Sequence, residues 1–151
     1  MLLQGKKAII TGGTRGIGFS VAEVFLKNGA SVALFGSRQE TVDKALAQLK
    51  AENPAWEVIG MAPDLTDYAA LDAAFSEVEN RFGRIDILVN NAGISAREPL
   101  YEYTPEAFQR IMDLNVTAVF NGCRAAAIRM KAQGGGSIIN TSSMVSLYGQ
   151  P

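Results

Sequence analysis

Four glycines lie close together in a short segment that follows an apolar run near the start of the chain. Residues 11–18 read TGGTRGIG, with the glycines spaced G-x-x-x-G-x-G at 12, 16 and 18. Glycines before a helix let the backbone turn sharply and let a phosphate approach closely. This pattern predicts a phosphate-binding turn, with an ordinary glycine-rich loop as the alternative. The candidate binding residues in this turn are Gly12, Thr14, Arg15, Gly16, Ile17 and Gly18.

Composition narrows the other chemistries that the chain can perform. The 151 residues contain no histidine, which excludes Ser-His-Asp and Cys-His catalysis and histidine-ligated metals, so we predict no metal site. The single cysteine, Cys123, rules out an internal disulfide and favours a reducing, cytoplasmic compartment.

Charge and hydropathy give little support for a macromolecular or lipid partner. Lysine plus arginine numbers 14 and aspartate plus glutamate 15, so the net charge is −1 and no nucleic-acid partner is expected. No run of 18 apolar residues occurs, so we expect no membrane span. Lys6 and Lys7 follow the short apolar opening instead of preceding it, which is the wrong order for a signal peptide.

Short apolar runs alternate with amphipathic stretches along the whole chain. The runs predict strands at residues 8–11, 31–35, 57–61, 85–89 and 137–141. Strands that alternate with helices of this length predict a doubly wound α/β fold, with a parallel sheet and helices on both faces.

The helical stretches carry clear start and stop signals. The first has apolar residues at helical spacing and ends near Gly29, and Asp67 is predicted to cap the third. Thr104-Pro105 predicts the start of one long helix that ends at the glycines 134–136. The predicted apolar stripe of the first helix is Ile17, Val21, Val24 and Phe25. The long helix carries Phe108, Met112, Val116, Val119, Phe120 and Cys123.

Four motifs in a fixed order resemble the short-chain dehydrogenase/reductase family. They are the glycine turn, Asp64-Leu65 after the third strand, NNAG at 90–93 after the fourth, and NTSS at 140–143 after the fifth. The resemblance implies a Rossmann-type sheet, here strands one to five of seven, and a nicotinamide-dependent conversion between a secondary alcohol and a ketone. It also implies that Asp64 and Leu65 contact the adenine. Further cofactor-pocket residues by this resemblance are Asn91, Ala92 and Gly93.

The end of the second strand bears on which cofactor binds. In dinucleotide folds an acidic residue there binds the ribose 2′-hydroxyl, but Gly36 and Ser37 offer no carboxylate. Arg15, Arg38 and the Ser37 hydroxyl are able to form a 2′-phosphate site instead. We therefore predict NADP(H) over NAD(H), with two solvated surface charges as the less favoured alternative, and Glu40 adds a nearby negative charge.

Reduction of a ketone needs a proton donor beside the carbonyl oxygen, and the family uses serine, tyrosine and lysine with an assisting asparagine. Ser143 matches the serine that hydrogen-bonds the substrate, with a plain turn serine as the alternative and Ser142 adjacent. Asn115 matches the asparagine that holds a proton-relay water, with a helix-packing amide as the alternative. The expected Tyr-x-x-x-Lys pair, about a dozen residues after Ser143, does not occur before Pro151.

The missing pair suggests that residues 1–151 are the dinucleotide-binding portion of one larger domain of roughly 250 residues. On that interpretation the 151 residues alone are inactive. The alternative is a short, catalytically incomplete protein that binds nucleotide or another protein.

Segments within residues 35–66 and 115–117 resemble bacterial bile-acid 3α-hydroxysteroid dehydrogenases, and the motifs also resemble 3-oxoacyl-carrier-protein reductases. The implied partner is a small alcohol or ketone substrate. The family counterpart of the long helix packs between subunits, which implies a homo-oligomer, either tetramer or dimer.

Overall fold

The structure is a computed structural model and describes residues 1–96 and 98–148; the chain end at Pro151 lies outside the described residues. Five parallel strands form one sheet in the order β3-β2-β1-β4-β5. Ala8 pairs with Val32 on one side and with Ile87 on the other. The strands are β1 (Lys7–Thr11), β2 (Ser31–Phe35), β3 (Val58–Met61), β4 (Ile87–Asn90) and β5 (Ser137–Asn140).

Helices connect the strands and cover both faces of the sheet, which confirms the predicted doubly wound α/β architecture. The helices are α1 (Gly16–Lys27), α2 (Gln39–Glu52), α3 (Tyr68–Phe82), α4 (Pro105–Met112) and α5 (Ala118–Ala132). A π-helical turn, Asp113–Thr117, joins α4 to α5, and single 3-10 turns lie at Leu100–Glu102 and Met144–Ser146. No helix in the described segments has the length and hydropathy needed to cross a bilayer.

The alternation of side chains along each strand divides the buried residues into two cores. Ile10 and Leu34 pack with α1 and α2 on one face, through residues such as Leu26. Ile9 and Phe35 pack with α3 and α5 on the other face. The core strands are apolar on both faces because both faces of a parallel sheet are covered.

The predicted helix caps are confirmed in atomic detail. The Asp67 Oδ1 accepts hydrogen bonds from the backbone N–H groups of Ala69 at 2.8 Å and Ala70 at 3.3 Å. The Thr104 Oγ1 accepts one from the Ala107 N–H at 3.1 Å. Each bond satisfies a donor that the first helical turn leaves free.

The predicted inward stripe of α1 is wrong in part. Ile17 and Val24 are 69% and 54% exposed, whereas Gly18, Ala22 and Leu26 are buried. Gly18 has to face the end of β1 because the first turn of α1 lies against it, and this fixes the rotation of the helix. Small residues therefore form the contact face at the start of α1.

The predicted long helix is confirmed from Pro105 to Ala132, with the π-helical turn Asp113–Thr117 as part of it. Asn115 lies within that turn, and its side chain is bonded to a loop outside the helix. Three apolar residues of the predicted stripe, Phe108, Val116 and Phe120, are 50–64% exposed. The face of α5 that packs on the sheet consists of small residues such as Ala125 and Ala126.

Candidate active site

The carboxyl ends of β1 and β4 form a crevice where the strand order reverses. The chain runs from β1 outward to β3 on one side, and β4 and β5 lie on the other. In open α/β sheets ligands bind at such a switch point. The described residues contain no group of three His, Cys, Asp or Glu side chains that could hold a metal ion.

Thr11 joins the two strand ends at this crevice. Its buried Oγ1 accepts hydrogen bonds from the backbone N–H groups of Asn91 and Ala92, both at 3.0 Å. The Asn91 side-chain amide donates in return to the carbonyls of Thr11 and Gly12 at 3.2 and 3.3 Å. Thr11 was not among the predicted site residues, although a polar residue ending a buried apolar strand was a signal for it.

The glycine turn brings the start of α1 against the end of β1. Gly12 has a φ of 64°, and a Cβ placed on Gly18 would lie 2.2 Å from the Gly12 carbonyl oxygen. Arg15 occupies the N-cap position without a side-chain cap, and the first turn of α1 contains no acidic residue. The first N–H groups of α1 are therefore available to an anion in the crevice.

A cleft of about 730 Å³ lies along the carboxyl ends of the strands. The predicted residues that line it are Gly12, Thr14, Arg15, Gly16, Ile17, Ser37, Asp64, Leu65, Asn91, Ala92 and Gly93. The predicted residues outside its lining are Gly18, Arg38, Asn115 and Ser143. The lining residues that the sequence analysis did not select are Phe35, Gly36, Ala62, Pro63, Ile94 and Leu114.

Asp64 closes one end of the cleft. Its Oδ1 accepts hydrogen bonds from the Thr66 N–H at 2.8 Å and the Thr66 hydroxyl at 2.7 Å. These two bonds lower the pKa of Asp64 below its ordinary value of 3.8. A hydrogen bond from the Asp67 backbone N–H adds to this lowering of the Asp64 pKa.

Gly36 follows β2 and lies close to the segments that carry Arg15 and Arg38. A Cβ on Gly36 would lie 2.6 Å from the Thr14 Cγ2, so a side chain at that position requires Thr14 to shift. Within the described segments, neither Arg15 nor Arg38 forms an ion pair. Glu40 pairs with Lys44 at 2.7 Å.

The Asn115 amide joins the π turn to the loop after β4. Its Nδ2 donates to the Ile94 carbonyl at 2.7 Å, and its Oδ1 accepts from the Ile94 N–H at 2.9 Å. Its Oδ1 also lies 3.2 Å from where a Cβ on Gly93 would be. The side chain is therefore engaged with the backbone that lines the cleft, as in the packing alternative.

Ser143 lies beyond β5 and is exposed. Its Oγ accepts a hydrogen bond from the Val145 N–H at 3.4 Å, so it caps the short turn that follows. The strand before it is held to β4 by the Asn90 side chain, which donates to the Asn140 Oδ1 at 2.9 Å. The structure thus places Ser143 at the carboxyl edge of the strand beside β4, without bringing it into the cleft lining.

The model of the short chain dehydrogenase family matches residues 6–151. The chain therefore belongs to this family, as its sheet order and glycine turn indicate.

Relatives in the same family have named activities. The chain is 60% identical over 151 residues to the 3alpha-hydroxysteroid dehydrogenase of Mediterraneibacter gnavus, covering 100% of this chain and 60% of that protein. It is 35% identical over 150 residues to a 3-oxoacyl-[acyl-carrier-protein] reductase of Chlamydia muridarum, covering 99% and 60%. The crystal structure of an NAD+-bound xylitol dehydrogenase superposes with a TM-score of 0.94 at 32% identity, covering 100% and 58%. The chain thus spans about three-fifths of the length of the relatives that it matches.

Proposed function

We propose that this chain forms the NADP(H)-binding part of an oxidoreductase that interconverts a secondary alcohol and a ketone. The observation that carries the proposal is the cleft at the switch point, which combines an uncapped helix start with close backbone approach. Family membership supports the same reaction class.

The residues of the cleft fit a dinucleotide along its whole length. The N–H groups at the start of α1 face the pyrophosphate position, and no carboxylate in the first turn repels it. Asp64 and Leu65 line the part of the cleft that we assign to the adenine, and Asn91 to Gly93 line the region nearer β4. When bound, the cofactor supplies the hydride for the carbonyl carbon.

The preference for NADP(H) follows from the surroundings of Gly36. A 2′-phosphate carries negative charge, which Arg15 and Arg38 can meet without first breaking an ion pair to a described residue. The bound NAD+ in the xylitol dehydrogenase structure belongs to a different family member and does not bear on these side chains.

Arg38→Asp tests this preference, and Lys44→Asp makes the same change of charge six residues farther along the chain, within α2. We expect Arg38→Asp to lower the NADPH/NADH ratio of kcat/KM about tenfold or more, because it removes a charge-assisted contact to phosphate. The Lys44 variant should leave the ratio unchanged. An unchanged ratio in the Arg38 variant contradicts the NADP assignment.

For the chemical step, we propose that the Ser143 hydroxyl hydrogen-bonds the carbonyl oxygen of the substrate. We also propose that Asn115 holds the proton-relay water, while its side chain holds the backbone of Ile94. The π turn supports this role, because a shift from i+4 to i+5 bonding alters the partners of local carbonyls, and such turns occur at functional sites.

The substrate we propose for the whole protein is a steroid-like 3-oxo or 3α-hydroxy compound. The 60% identical relative is a 3alpha-hydroxysteroid dehydrogenase, and apolar residues beside Ser143 suit an apolar ligand. Met144, Leu147 and Tyr148 are 73%, 79% and 68% exposed. The second candidate, a 3-oxoacyl thioester, rests on the similarity to the 3-oxoacyl reductase.

Oxidation of NADPH by the full protein with a 3-oxo bile acid and with an acetoacetyl thioester separates the two substrate classes. Faster turnover of the bile acid supports the first, and faster turnover of the thioester replaces it with the second. Cofactor binding without turnover of any ketone identifies a nucleotide-binding protein without enzymatic activity.

We further propose that the exposed apolar face of α4 and α5 packs against a second copy of the chain. Phe120 and Ile128 are 64% and 54% exposed on α5. Sedimentation of Phe120→Glu tests this, with Val24→Glu on α1 as the control because Val24 is similarly exposed. We expect only the Phe120 change to lower the molecular mass in solution; a monomeric wild type contradicts the proposal.

A further inference from the structure

Asn121 is one of few polar residues buried among the described side chains. It lies in the first turn of α5 and is 6% exposed. Its Nδ2 donates to two backbone carbonyls, those of Leu65 and Thr66, both at 3.2 Å. A buried amide is costly unless it is hydrogen-bonded, so these contacts determine where the amide lies.

The two carbonyls belong to the segment that forms one end of the cleft. Within that segment, the Asp64 carboxylate is bonded to the N–H and hydroxyl of Thr66, which fixes the local turn. Those bonds fix the shape of the turn without attaching it to the rest of the fold. Asn121 attaches the turn to α5, and Leu65 packs against the core between α3 and α5.

Other contacts between α3 and α5 lie farther along the two helices. Arg124 lies 4.3 Å above the ring of Tyr68, and Arg129 bonds Asp72 at 2.7 Å. None of these residues lines the cleft. Asn121 therefore supplies the hydrogen bonds by which α5 holds the backbone of a cleft residue, beside the apolar packing of the Leu65 side chain.

We infer that Asn121 is a positioning residue for the adenosine end of the cofactor site, an inference that rests on the proposed function. It acts through the backbone of Leu65 and Thr66, which keeps Asp64 and Leu65 at the cleft. Its two N–H donors allow one side chain to hold two consecutive carbonyls. A side chain of similar volume without donors leaves both carbonyls unpaired and releases the segment.

The test compares cofactors with and without the adenosine half. NADPH and NADH contain it, and reduced nicotinamide mononucleotide lacks it. We expect Asn121→Leu, measured in the full chain, to raise the dissociation constants of both dinucleotides about tenfold, because the carbonyls of Leu65 and Thr66 lose their donor. The dissociation constant of the mononucleotide should stay within about twofold of wild type.

Gln133→Leu is the matched control. Gln133 follows the end of α5, and its Nε2 likewise donates to two backbone carbonyls, those of Ile85 at 2.6 Å and Gly135 at 2.9 Å. These carbonyls precede β4 and β5, at the amino ends of the strands, whereas the cleft lies at the carboxyl ends. We expect this variant to lose stability as Asn121→Leu does while binding all three ligands as the wild type does.

Three results would overturn the inference. Equal weakening of all three ligands in Asn121→Leu indicates a general structural role, as does weaker dinucleotide binding in the Gln133 variant. Unchanged dinucleotide binding in Asn121→Leu removes the role altogether. A wild-type chain that binds none of the three ligands overturns the proposed function itself, which distinguishes that failure from the others.

Asn121→Ser serves where the leucine variant does not accumulate as folded protein. Its hydroxyl retains one donor in a smaller side chain, so we expect about a threefold loss for the dinucleotides and none for the mononucleotide. Equal losses of affinity for the dinucleotides and the mononucleotide in this variant would also contradict the inference.

Discussion

The two ends of the site differ in burial. At the glycine-turn end (residues 11–18 with Asn91 and Ala92), buried atoms hold the backbone in place. At the serine end (residues 140–148), the residues are exposed. Thr11 is 4% exposed and accepts two hydrogen bonds from the neighbouring strand end. Ser143 is exposed, and its Oγ accepts one bond of 3.4 Å from its own turn. The serine end also follows β5, which forms one edge of the described sheet.

This difference separates the residues that we propose to bind the cofactor from the serine that we propose to take part in the reaction. Contacts between β1, α1 and β4 shape the cleft at the switch point, and the same contacts hold the fold together. The proposed reactive hydroxyl contributes little to that packing. Changes at the glycine-turn end should therefore lower stability. Changes at the serine end should lower turnover and leave stability unchanged.

Ser143→Ala should affect turnover far more than folding. Loss of the hydroxyl beside the carbonyl oxygen is expected to lower kcat of the full protein about 10² to 10⁴-fold, the usual size of an acid–base contribution. The urea midpoint and the NADPH dissociation constant should remain those of wild type. Retained turnover would remove Ser143 from the mechanism, and Ser142→Ala tests the adjacent hydroxyl.

Gly18→Ala should have the largest effect on stability. The added Cβ would lie 2.2 Å from the Gly12 carbonyl oxygen and 2.6 Å from the Asn91 Nδ2. We expect the free energy of unfolding to fall by about 3 kcal/mol, with much weaker NADPH binding.

Gly16→Ala is the control for that change. Gly16 has a φ of 55°, but no atom lies within 4 Å of an added Cβ. The free energy of unfolding should therefore fall by about 1 kcal/mol, from the backbone conformation alone. Similar losses in the two variants would contradict the close approach at Gly18.

Thr11→Val should destabilise the joint between β1 and β4. The change preserves shape but leaves the N–H groups of Asn91 and Ala92 without their acceptor, for an expected loss of about 2 kcal/mol in urea denaturation. Thr11→Ser retains the oxygen and should lose about 1 kcal/mol or less, through the missing methyl group. A valine variant as stable as the serine variant would show that the two bonds do not hold the strand ends.

Asp64→Asn should change the free energy of unfolding least among these variants, and the change should depend on pH. The pKa of folded Asp64 lies below 3.8, so its contribution to stability is present above that pH and is lost as pH falls through the folded pKa. Because the carboxylate is exposed, we expect a difference of a few tenths of a kcal/mol from pH 7 to pH 5. Denaturation at a series of pH values should show the difference vanishing in acid, and a difference that grows in acid contradicts the assignment.

Much of the fold was predictable because local signals and the final structure agree. Alternating apolar runs gave the strands, and Asp67 and Thr104 marked helix starts through caps that depend only on nearby atoms. The rotation of α1 was not predictable from its stripe, because Ile17 is exposed at the cleft while Gly18 turns inward against β1.

The residues that support the site were harder to predict than those that line it. The glycine turn and Asp64 lie in motifs, whereas Asn115 lies in a π turn and bonds Ile94, which is 21 residues away. Asn121 bonds a segment more than 50 residues away. A polar residue at a buried helical position among alanines was the available signal for Asn121, but its partner could not be inferred without the fold.

Titration of the wild-type chain with NADPH tests the central claim most directly. The cleft at the switch point predicts saturable binding of one NADPH per chain, tighter than NADH, which Gly18→Ala weakens strongly and Ser143→Ala leaves unchanged. Absence of saturable binding by the folded wild type, or binding that Gly18→Ala does not weaken, would contradict the assignment of this cleft as the cofactor site.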